Sequence, residues 1–256
     1  MDAVRNVADL GNTRLKWGRV DRAGRLGPVS ALPPDDPEAW EVAWPAFAGD
    51  GDMPTSWAVS SVNPPVAARF ATFLEAKGVA ARWFRSAADV PLSSSLRHPE
   101  TAGADRALAV AAALGVARNG SLGPGLVVLC GTAVTVERVG PDGVWQGGAI
   151  AAGLALTARA LHTLTAQLPM VSPRDAPPPW GDSTRPALEA GVFWGVVGSV
   201  RELLTRQAEG FGPADPWVVW SGGDADVLAR AVGWPGALVV PDLVLHGLAR
   251  VGFVAS

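Results

Sequence analysis

Apolar residues in this chain fall into short runs typical of strands and into longer stretches with helical spacing. In the first half they predict strands at residues 4–10, 14–20, 57–61 and 81–84 and helices at residues 66–77 and 105–117. In the second half they predict strands at residues 126–129, 133–139, 144–146, 217–220 and 237–240 and helices at residues 154–167, 185–209, 225–232 and 243–251. The order of hairpin, strand and helix occurs twice, which predicts an α/β protein with two similar halves.

The boundary between the two halves is predicted at a glycine-rich segment, residues 120–125. It gives an N-terminal half of residues 1–119 and a C-terminal half of residues 120–256, and a chain of this length is long enough for two small domains. We expect the halves to face one cleft and ligands to lie in it. Asp224 and Asp242 stand where they would cap the last two helices.

Composition and charge exclude several classes of protein. Hydrophobic residues make up 48% of the chain and charged residues 18%, and no run approaches the roughly 18 apolar residues that a membrane span needs. The formal net charge is −3 with acids and bases mixed, so neither nucleic acid nor a membrane is an expected partner. The first residues lack the pattern of a secretory signal, and the single cysteine, Cys130, excludes an internal disulfide. We therefore expect a cytoplasmic protein.

The turn after the first predicted strand has the residues of a phosphate and metal site. It reads Asp9-Leu10-Gly11-Asn12-Thr13. Its glycine lets the backbone approach a phosphate closely, and its aspartate, at the end of the strand, can hold a hydrated Mg²⁺ ion. Lys16 adds positive charge. An ordinary hairpin turn has the same composition, so the motif alone leaves both interpretations open.

A second candidate site is the segment Gly103-Ala104-Asp105-Arg106, at the start of a predicted helix. Asp105 can be an acid that the helix dipole favours in the first turn. Beside a phosphate site, the same carboxylate can orient and deprotonate an alcohol for attack on a γ-phosphoryl group, and Arg106 can hold an anionic substrate. Spacing alone leaves both roles open.

Glycine-bearing turns also occur in the second half. They are Gly131-Thr132, Gly147-Gly148 and Ser221-Gly222-Gly223. Each can be only a tight turn, but such turns at the ends of successive strands are typical of a nucleotide cradle. We therefore expect the second half to take part in nucleotide binding.

Taken in order, these motifs resemble those of the type III pantothenate kinases over nearly the whole chain. The resemblance lies in residues 9–13, 103–106, 131–135, 147–150, 168–169, 181–184 and 221–223. That family belongs to the superfamily of acetate kinase, sugar kinases and actin. The resemblance implies an actin-like ATPase fold, in which two ribonuclease-H-like halves flank a nucleotide cleft. It also implies that ATP and Mg²⁺ are used to phosphorylate pantothenate, the first step of coenzyme A biosynthesis.

The resemblance implies a role for each matching residue. Asp105 would be the general base, and Asp9 would hold Mg²⁺. ATP would be contacted by Asp9, Gly11, Asn12, Thr13, Arg14 and Lys16 of the first half and by Gly131 and Thr132 of the second. Pantothenate would be contacted by Gly103, Ala104, Asp105, Arg106 and Thr184. Members of the family are usually homodimers whose active site borrows from the partner subunit, so a homodimer is expected.

Three positions depart from the pattern of the family. The second phosphate motif of the family has an aspartate that ligates a monovalent cation, K⁺ or NH₄⁺, where this chain has Leu129. Because a leucine side chain cannot bind K⁺, we expect little response to that ion. Glu137 stands where an aspartate is usual, and Leu96 replaces a tyrosine near pantothenate, so the substrate pocket is expected to differ as well.

These departures leave two other functions open. One is a non-catalytic, nucleotide-binding or regulatory relative with the same fold, and the other is a kinase of another small hydroxy acid. The presence of Asp9, Asp105, Arg106, Thr132 and Thr184 favours the pantothenate kinase.

Overall fold

The computed structural model describes residues 4–48, 55–117, 123–212 and 215–253. The chain forms two compact units, Met1–Val116 with Asp242–Ser256 and Ala117–Pro241. The predicted boundary after residue 119 lies outside the described residues. The structure differs from the predicted division at the C-terminus, because residues 242–256 belong to the first unit and not to the second.

The first unit is built on a five-stranded sheet. Its strands are β1 (Val4–Leu10), β2 (Leu15–Val20), β3 (Leu26–Leu32), β4 (Thr55–Ser61) and β5 (Ala81–Phe84). Their order is β3-β2-β1-β4-β5, antiparallel from β3 to β1 and parallel from β1 to β5. Its helices are α1 (Pro37–Ala43), α2 (Pro64–Ala76), α3 (Ala104–Ala117) and the last helix of the chain, α7 (Leu243–Val251).

Aromatic side chains cover one face of this sheet. Trp17 and Trp57 have ring centroids 5.7 Å apart, and Phe70 of α2 packs against both rings. Full burial of a large apolar side chain contributes roughly 2 kcal/mol to stability. The cluster therefore holds α2 firmly on the sheet, with its first turn capped by Asn63 just after β4 ends.

The C-terminal helix α7 packs on the other face of the sheet. Ala58 follows Trp57 in β4, so its side chain projects from the opposite face of the sheet. A Cβ added to Gly252 of the last turn would meet the side chain of Ala58. A Cβ added to Gly247 would overlap the backbone of Leu108 in α3. The glycine therefore lets α7 and α3 cross at close range, and this packing is the physical reason why the C-terminal segment belongs to the first unit.

The second unit repeats the same topology. Its strands are β6 (Gly125–Cys130), β7 (Ala133–Val139), β8 (Trp145–Ala152), β9 (Trp217–Ser221) and β10 (Leu238–Val239). Their order is β10-β9-β6-β7-β8, again with an antiparallel meander and a parallel continuation. Its helices are α4 (Leu154–Leu164), α5 (Thr184–Ala208) and α6 (Ala225–Val232). The predicted α/β fold with two similar halves is confirmed.

Some elements differ from the sequence prediction. Strand β3 contains Gly27 and Pro28, which are rare inside strands, and it has no predicted counterpart. Helix α1 has only seven residues, too few for helical spacing to be evident, although Asp36 accepts its capping hydrogen bond from the backbone of Ala39. Strand β8 is longer than predicted, because pairing with β7 holds its glycines and alanines in strand geometry despite their low strand propensity. Among the helices of the described segments, none is long and apolar enough to cross a membrane.

Candidate active site

Asp9 lies at the C-terminal end of β1, where three strands bring polar side chains together. The strand register places it opposite Lys16 of β2 and beside Ser60 of β4. The Ser60 hydroxyl donates a hydrogen bond of 3.1 Å to Oδ1 of Asp9. The carboxylate is half-buried, on the face of the sheet that α7 covers.

The electrostatic surroundings of Asp9 are acidic. The pKa of Asp9 is raised from 3.8 to about 7. Burial is the largest cause, the negative charge of Asp105 and, to a smaller extent, that of Asp242 add to it, and the hydrogen bond from Ser60 and the charge of Lys16 oppose it. Asp105 and Asp242 therefore lie close enough to Asp9 for their charges to act on it. A divalent cation bound here would relieve this repulsion.

The oxygen donors at Asp9 fit a magnesium ion. Mg²⁺ in nucleotide sites usually keeps several waters and takes one or two carboxylates, with phosphate oxygens completing its coordination. Within the described segments, no three or more His, Cys, Asp or Glu side chains form a group suited to a metal. The site thus suits a cation delivered with a nucleotide better than one held by protein alone.

The turn between β1 and β2 presents exposed polar groups beside Asp9. The backbone N–H of Gly11 donates to the carbonyl oxygen of Arg14 at 3.1 Å, and a Cβ on Gly11 would lie 3.2 Å from that oxygen. Asn12 accepts a hydrogen bond of 3.4 Å from the side chain of Asn63. Thr13 and Arg14 are exposed. The turn can therefore offer donors to a phosphate, as its motif predicts.

Asp105 lies in the first turn of α3 and is half-buried. Its Oδ1 accepts a hydrogen bond of 2.8 Å from the backbone N–H of Arg106. A Cβ added to Gly103 would overlap that same Oδ1, so a larger residue there would displace the Asp105 carboxylate. The carboxylate thus binds the start of the helix, and its charge acts on Asp9. Its role as general base stays a prediction.

A cavity of about 500 Å³ opens beside Gly103. Its apolar wall consists of residues of α2 and the segment before it: Val62, Pro64, Ala67, Ala68 and Ala71. Arg85 and Glu100 add charged groups to its lining. The cavity was not predicted from the sequence. The helical spacing of its three alanines is the signal that could have indicated it, since small side chains on one face of α2 leave space beside the helix.

Lys16 makes a contact that the sequence did not predict. Its ammonium group lies 2.6 Å from Oδ1 of Asp242, in an ion pair of partly buried side chains. The predicted capping role of Asp242 is wrong, because it makes no side-chain capping hydrogen bond to α7. Asp224 likewise makes none to α6. A pair separated by 226 positions leaves no local signal in a sequence.

In the second unit, Leu129 occupies the position that corresponds to Asp9. It lies at the end of β6, opposite Thr135 of β7 and beside Ser221 of β9. The equivalent corner of the sheet thus has a leucine in place of a carboxylate. Glu137 is buried two positions further along β7 and accepts a hydrogen bond of 3.0 Å from the indole N–H of Trp145.

The other predicted residues of the second unit lie at turns and at a helix start. Gly131 donates its N–H to the carbonyl oxygen of Ala133, and the carbonyl oxygen of Thr132 accepts from the N–H of Gly153, both at 3.0 Å. Thr184 begins α5 and is exposed. The contacts predicted for Gly131, Thr132 and Thr184 with ATP and pantothenate stay predictions, as does the nucleotide cleft.

Comparisons with known proteins show the family and the fold of this chain. A family model described as type III pantothenate kinase matches residues 7–206. A type III pantothenate kinase from Janthinobacterium sp. (strain Marseille) is 30% identical over 98% of this chain and 98% of its own length. One from Porphyromonas gingivalis is 40% identical over 59% of this chain, and the match spans only 61% of that relative. Among solved structures, an archaeal actin homologue, Ta0583, has a TM-score of 0.53 at 10% identity, over 96% of this chain and 98% of its own, which shows an actin-like fold.

Proposed function

Since the chain belongs to the type III pantothenate kinase family, we propose that it transfers the γ-phosphoryl group of ATP to a hydroxyl group of pantothenate. Family membership makes it a kinase, and the reaction belongs to coenzyme A biosynthesis. One observation carries the assignment of the site: the charge of Asp105 acts on Asp9, so the acid of the helix start and the acid of the first hairpin share one site.

Asp105 is the proposed general base. The hydroxyl oxygen of pantothenate forms a bond to the γ-phosphorus while the bond from that phosphorus to the leaving oxygen of ADP breaks, and the hydroxyl proton passes to Asp105. Phosphoryl transfer depends mainly on positioning and charge stabilisation, so one carboxylate beside the attacking hydroxyl is sufficient. The hydrogen bond from the backbone of Arg106 holds that carboxylate in place.

Asp9 and the turn that follows it are the proposed site of the ATP phosphates and of Mg²⁺. When bound, Mg²⁺ supplies positive charge to the β- and γ-phosphate oxygens. Lys16 adds a further positive charge, and the exposed polar groups of Asn12 and Thr13 offer donors. The closed hydrogen bond between Gly11 and Arg14 keeps the turn in one shape before the nucleotide arrives.

The cavity beside Gly103 is the proposed site of the body of pantothenate. Its volume, about 500 Å³, is in the range of small-molecule sites. The apolar wall of α2 suits the branched carbon skeleton of the substrate, while Arg106 suits its carboxylate. Leu96 stands where the family has a tyrosine near pantothenate, so the substrate lacks a phenol hydroxyl from that position.

A homodimer is proposed from the exposed surface of the second unit. Five of the eight large apolar side chains that are exposed among the described residues lie between residues 150 and 180: Ile150, Leu156, Leu164, Met170 and Trp180. A concentration of exposed apolar groups is typical of an interface. Because β8 is an edge strand of its sheet, a second copy of the chain can approach it there. We place the enzyme in the cytoplasm, where the buried free thiol of Cys130 is compatible with a reducing environment.

The function is tested by measuring ADP release in a coupled assay with pantothenate, ATP and Mg²⁺. We expect ADP release to depend on both pantothenate and Mg²⁺ and to fall by a factor of about 10² or more in Asp105→Asn. Asp226→Asn, which changes a first-turn acid of α6 in the same way, is the matched control and should retain full activity. Nucleotide binding without phosphorylation of pantothenate would favour a non-catalytic relative. Turnover of a different substrate would favour a kinase of another small hydroxy acid.

A further inference from the structure

The ion pair between Lys16 and Asp242 joins two distant parts of the chain at the proposed phosphate site. The ammonium nitrogen lies 2.6 Å from Oδ1 of Asp242, and both side chains are largely buried, with 28% and 22% of their surfaces exposed. Asp242 immediately precedes α7, the helix that packs on the same face of the sheet as Asp9. The C-terminal segment thus contributes a carboxylate to a site that is otherwise built from β1, β2, β4 and α3.

The strand register offers Lys16 another partner. Asp9 lies directly opposite Lys16 in the antiparallel pair of β1 and β2, so their side chains project from the same face at the distance of cross-strand neighbours. Opposite charges in this arrangement attract each other, and the charge of Lys16 does act on Asp9. An ammonium group that settled on Asp9 would occupy the oxygen atoms proposed to bind Mg²⁺.

The backbone of Asp242 is held in an uncommon conformation. It has φ 51° and ψ 37°, and it is the one non-glycine residue with positive φ in the described part of the chain. This left-handed conformation is tolerated by Asp and Asn but favours glycine, and such residues cluster at functional sites. Since Asp242 does not cap its helix, the ion pair with Lys16 is the contact that accounts for a carboxylate at this position.

We infer that Asp242 is a positioning residue of the phosphate site, which holds the ammonium group of Lys16 away from Asp9 and so keeps the Asp9 carboxylate available to Mg²⁺. The inference rests on the proposed function, since Lys16 and Asp9 are its proposed ligands of ATP and of the metal.

The test is the Mg²⁺ requirement for binding of a non-hydrolysable ATP analogue, measured by calorimetric titration at stepped Mg²⁺ concentrations. The first variant is Asp242→Asn, because asparagine tolerates the same backbone conformation. We expect the Mg²⁺ concentration for half-maximal binding of the analogue to rise about fivefold or more in this variant. This is the factor that corresponds to the loss of one ion pair of about 1 kcal/mol. Asp242→Gly should give the same rise without backbone strain. In a Lys16→Met background, Asp242→Asn should produce no such rise, because no ammonium group competes for Asp9.

Glu41→Gln is the matched control, since it breaks the Lys77–Glu41 pair, which has the same distance of 2.6 Å in the same unit. It should leave the Mg²⁺ requirement unchanged. An unchanged or lower requirement in both Asp242 variants would overturn the inference, and so would a rise that persists in the Lys16→Met background. Because nucleotide binding is measured without pantothenate, these outcomes are separate from a failure of the proposed phosphoryl transfer, which appears only in the assay of ADP release.

Discussion

Asp9 shows at the scale of one residue how a carboxylate proposed to bind a cation lowers stability when the cation is absent. Its carboxylate is half-buried beside two other acids, and its pKa is raised to about 7. A raised pKa means that the folded chain binds the proton more tightly than the unfolded chain does. Ionised Asp9 therefore destabilises the metal-free protein at neutral and alkaline pH.

We expect Asp9→Asn to be more stable than the natural chain in the absence of Mg²⁺. The gain should be absent below pH 4, should grow as the pH rises from 4 to 7, and should reach on the order of 1 kcal/mol at pH 8, because the variant carries no charge there. Thermal unfolding at pH 5 and pH 8 measures it. Asp21→Asn is the control, since the backbone and side chain of Arg25 lower the pKa of Asp21 and no gain is expected. Equal stability of Asp9→Asn and the natural chain at pH 8 would contradict the expectation.

Leu129 carries a second prediction at the residue scale. The corner of the second sheet that corresponds to Asp9 presents an aliphatic side chain beside Thr135 and Ser221, which gives K⁺ no carboxylate ligand. We expect ADP release to change less than about twofold when K⁺ is replaced by Na⁺ at equal ionic strength, since hard cations bind oxygen ligands. A steady-state assay in the two salts decides it, and turnover that requires K⁺ would refute it.

At the scale of elements, the sequence predicted the strands and helices that carry a regular pattern and missed those that depend on their neighbours. The strands β6 and β9 have uninterrupted apolar runs, so the apolar pattern alone identifies them. The glycines of β8 and the proline of β3 have low strand propensity, and only pairing with the next strand makes them extended. The position of α7 likewise depends on a close approach of two helices that no local pattern encodes.

That close approach gives a prediction of its own. An alanine at position 247 would place its Cβ against the backbone of Leu108, so Gly247→Ala should force α7 away from α3 and cost about 1–3 kcal/mol. Gly195→Ala makes the same change inside α5, where an added Cβ meets nothing within 4 Å, and should be neutral or stabilising by up to about 1 kcal/mol. The midpoints of urea unfolding compare the two. Similar midpoints would show that the two helices do not cross as described.

The candidate site, like the fold, has some parts that the sequence predicts and others that it does not. Asp9, Asp105 and Arg106 lie in short motifs that are visible in the sequence. The order of these motifs predicted the family, which the comparisons confirm. Asp242 and the cavity beside Gly103 arise only when segments far apart in the chain meet, so the sequence did not reveal them. The roles of Thr132 and Thr184 stay predictions.

At the scale of the whole molecule, the two units share one topology but differ in chemistry. The sheet of the first unit ends in Asp9, Lys16 and Ser60, while the corresponding positions of the second are Leu129, Thr135 and Ser221. The shared framework thus carries a carboxylate at this corner of the sheet in the first unit and an aliphatic side chain in the second. The second copy instead exposes the apolar side chains between residues 150 and 180.

These side chains lead to a prediction about assembly. We expect light scattering after size exclusion to give about twice the chain mass of 26.4 kDa. Ile150→Asp combined with Leu164→Lys should give the mass of one chain, because charges would be buried in the interface. Val42→Lys alters a side chain of the first unit that is as exposed as Leu164, 83% against 82%, and should leave the mass unchanged. A single-chain mass for the natural protein would exclude the dimer.

The place of α7 in the first unit also sets the order in which the chain matures on the ribosome. Residues 125–239, which hold every strand of the second unit, leave the ribosome before residues 243–251 do. The N-terminal unit, although made first, lacks this cover for its sheet until residues 243–251 have also left the ribosome. Newly made chains therefore complete the strands of the second unit first, and the contact of Lys16 with Asp242 forms only afterwards.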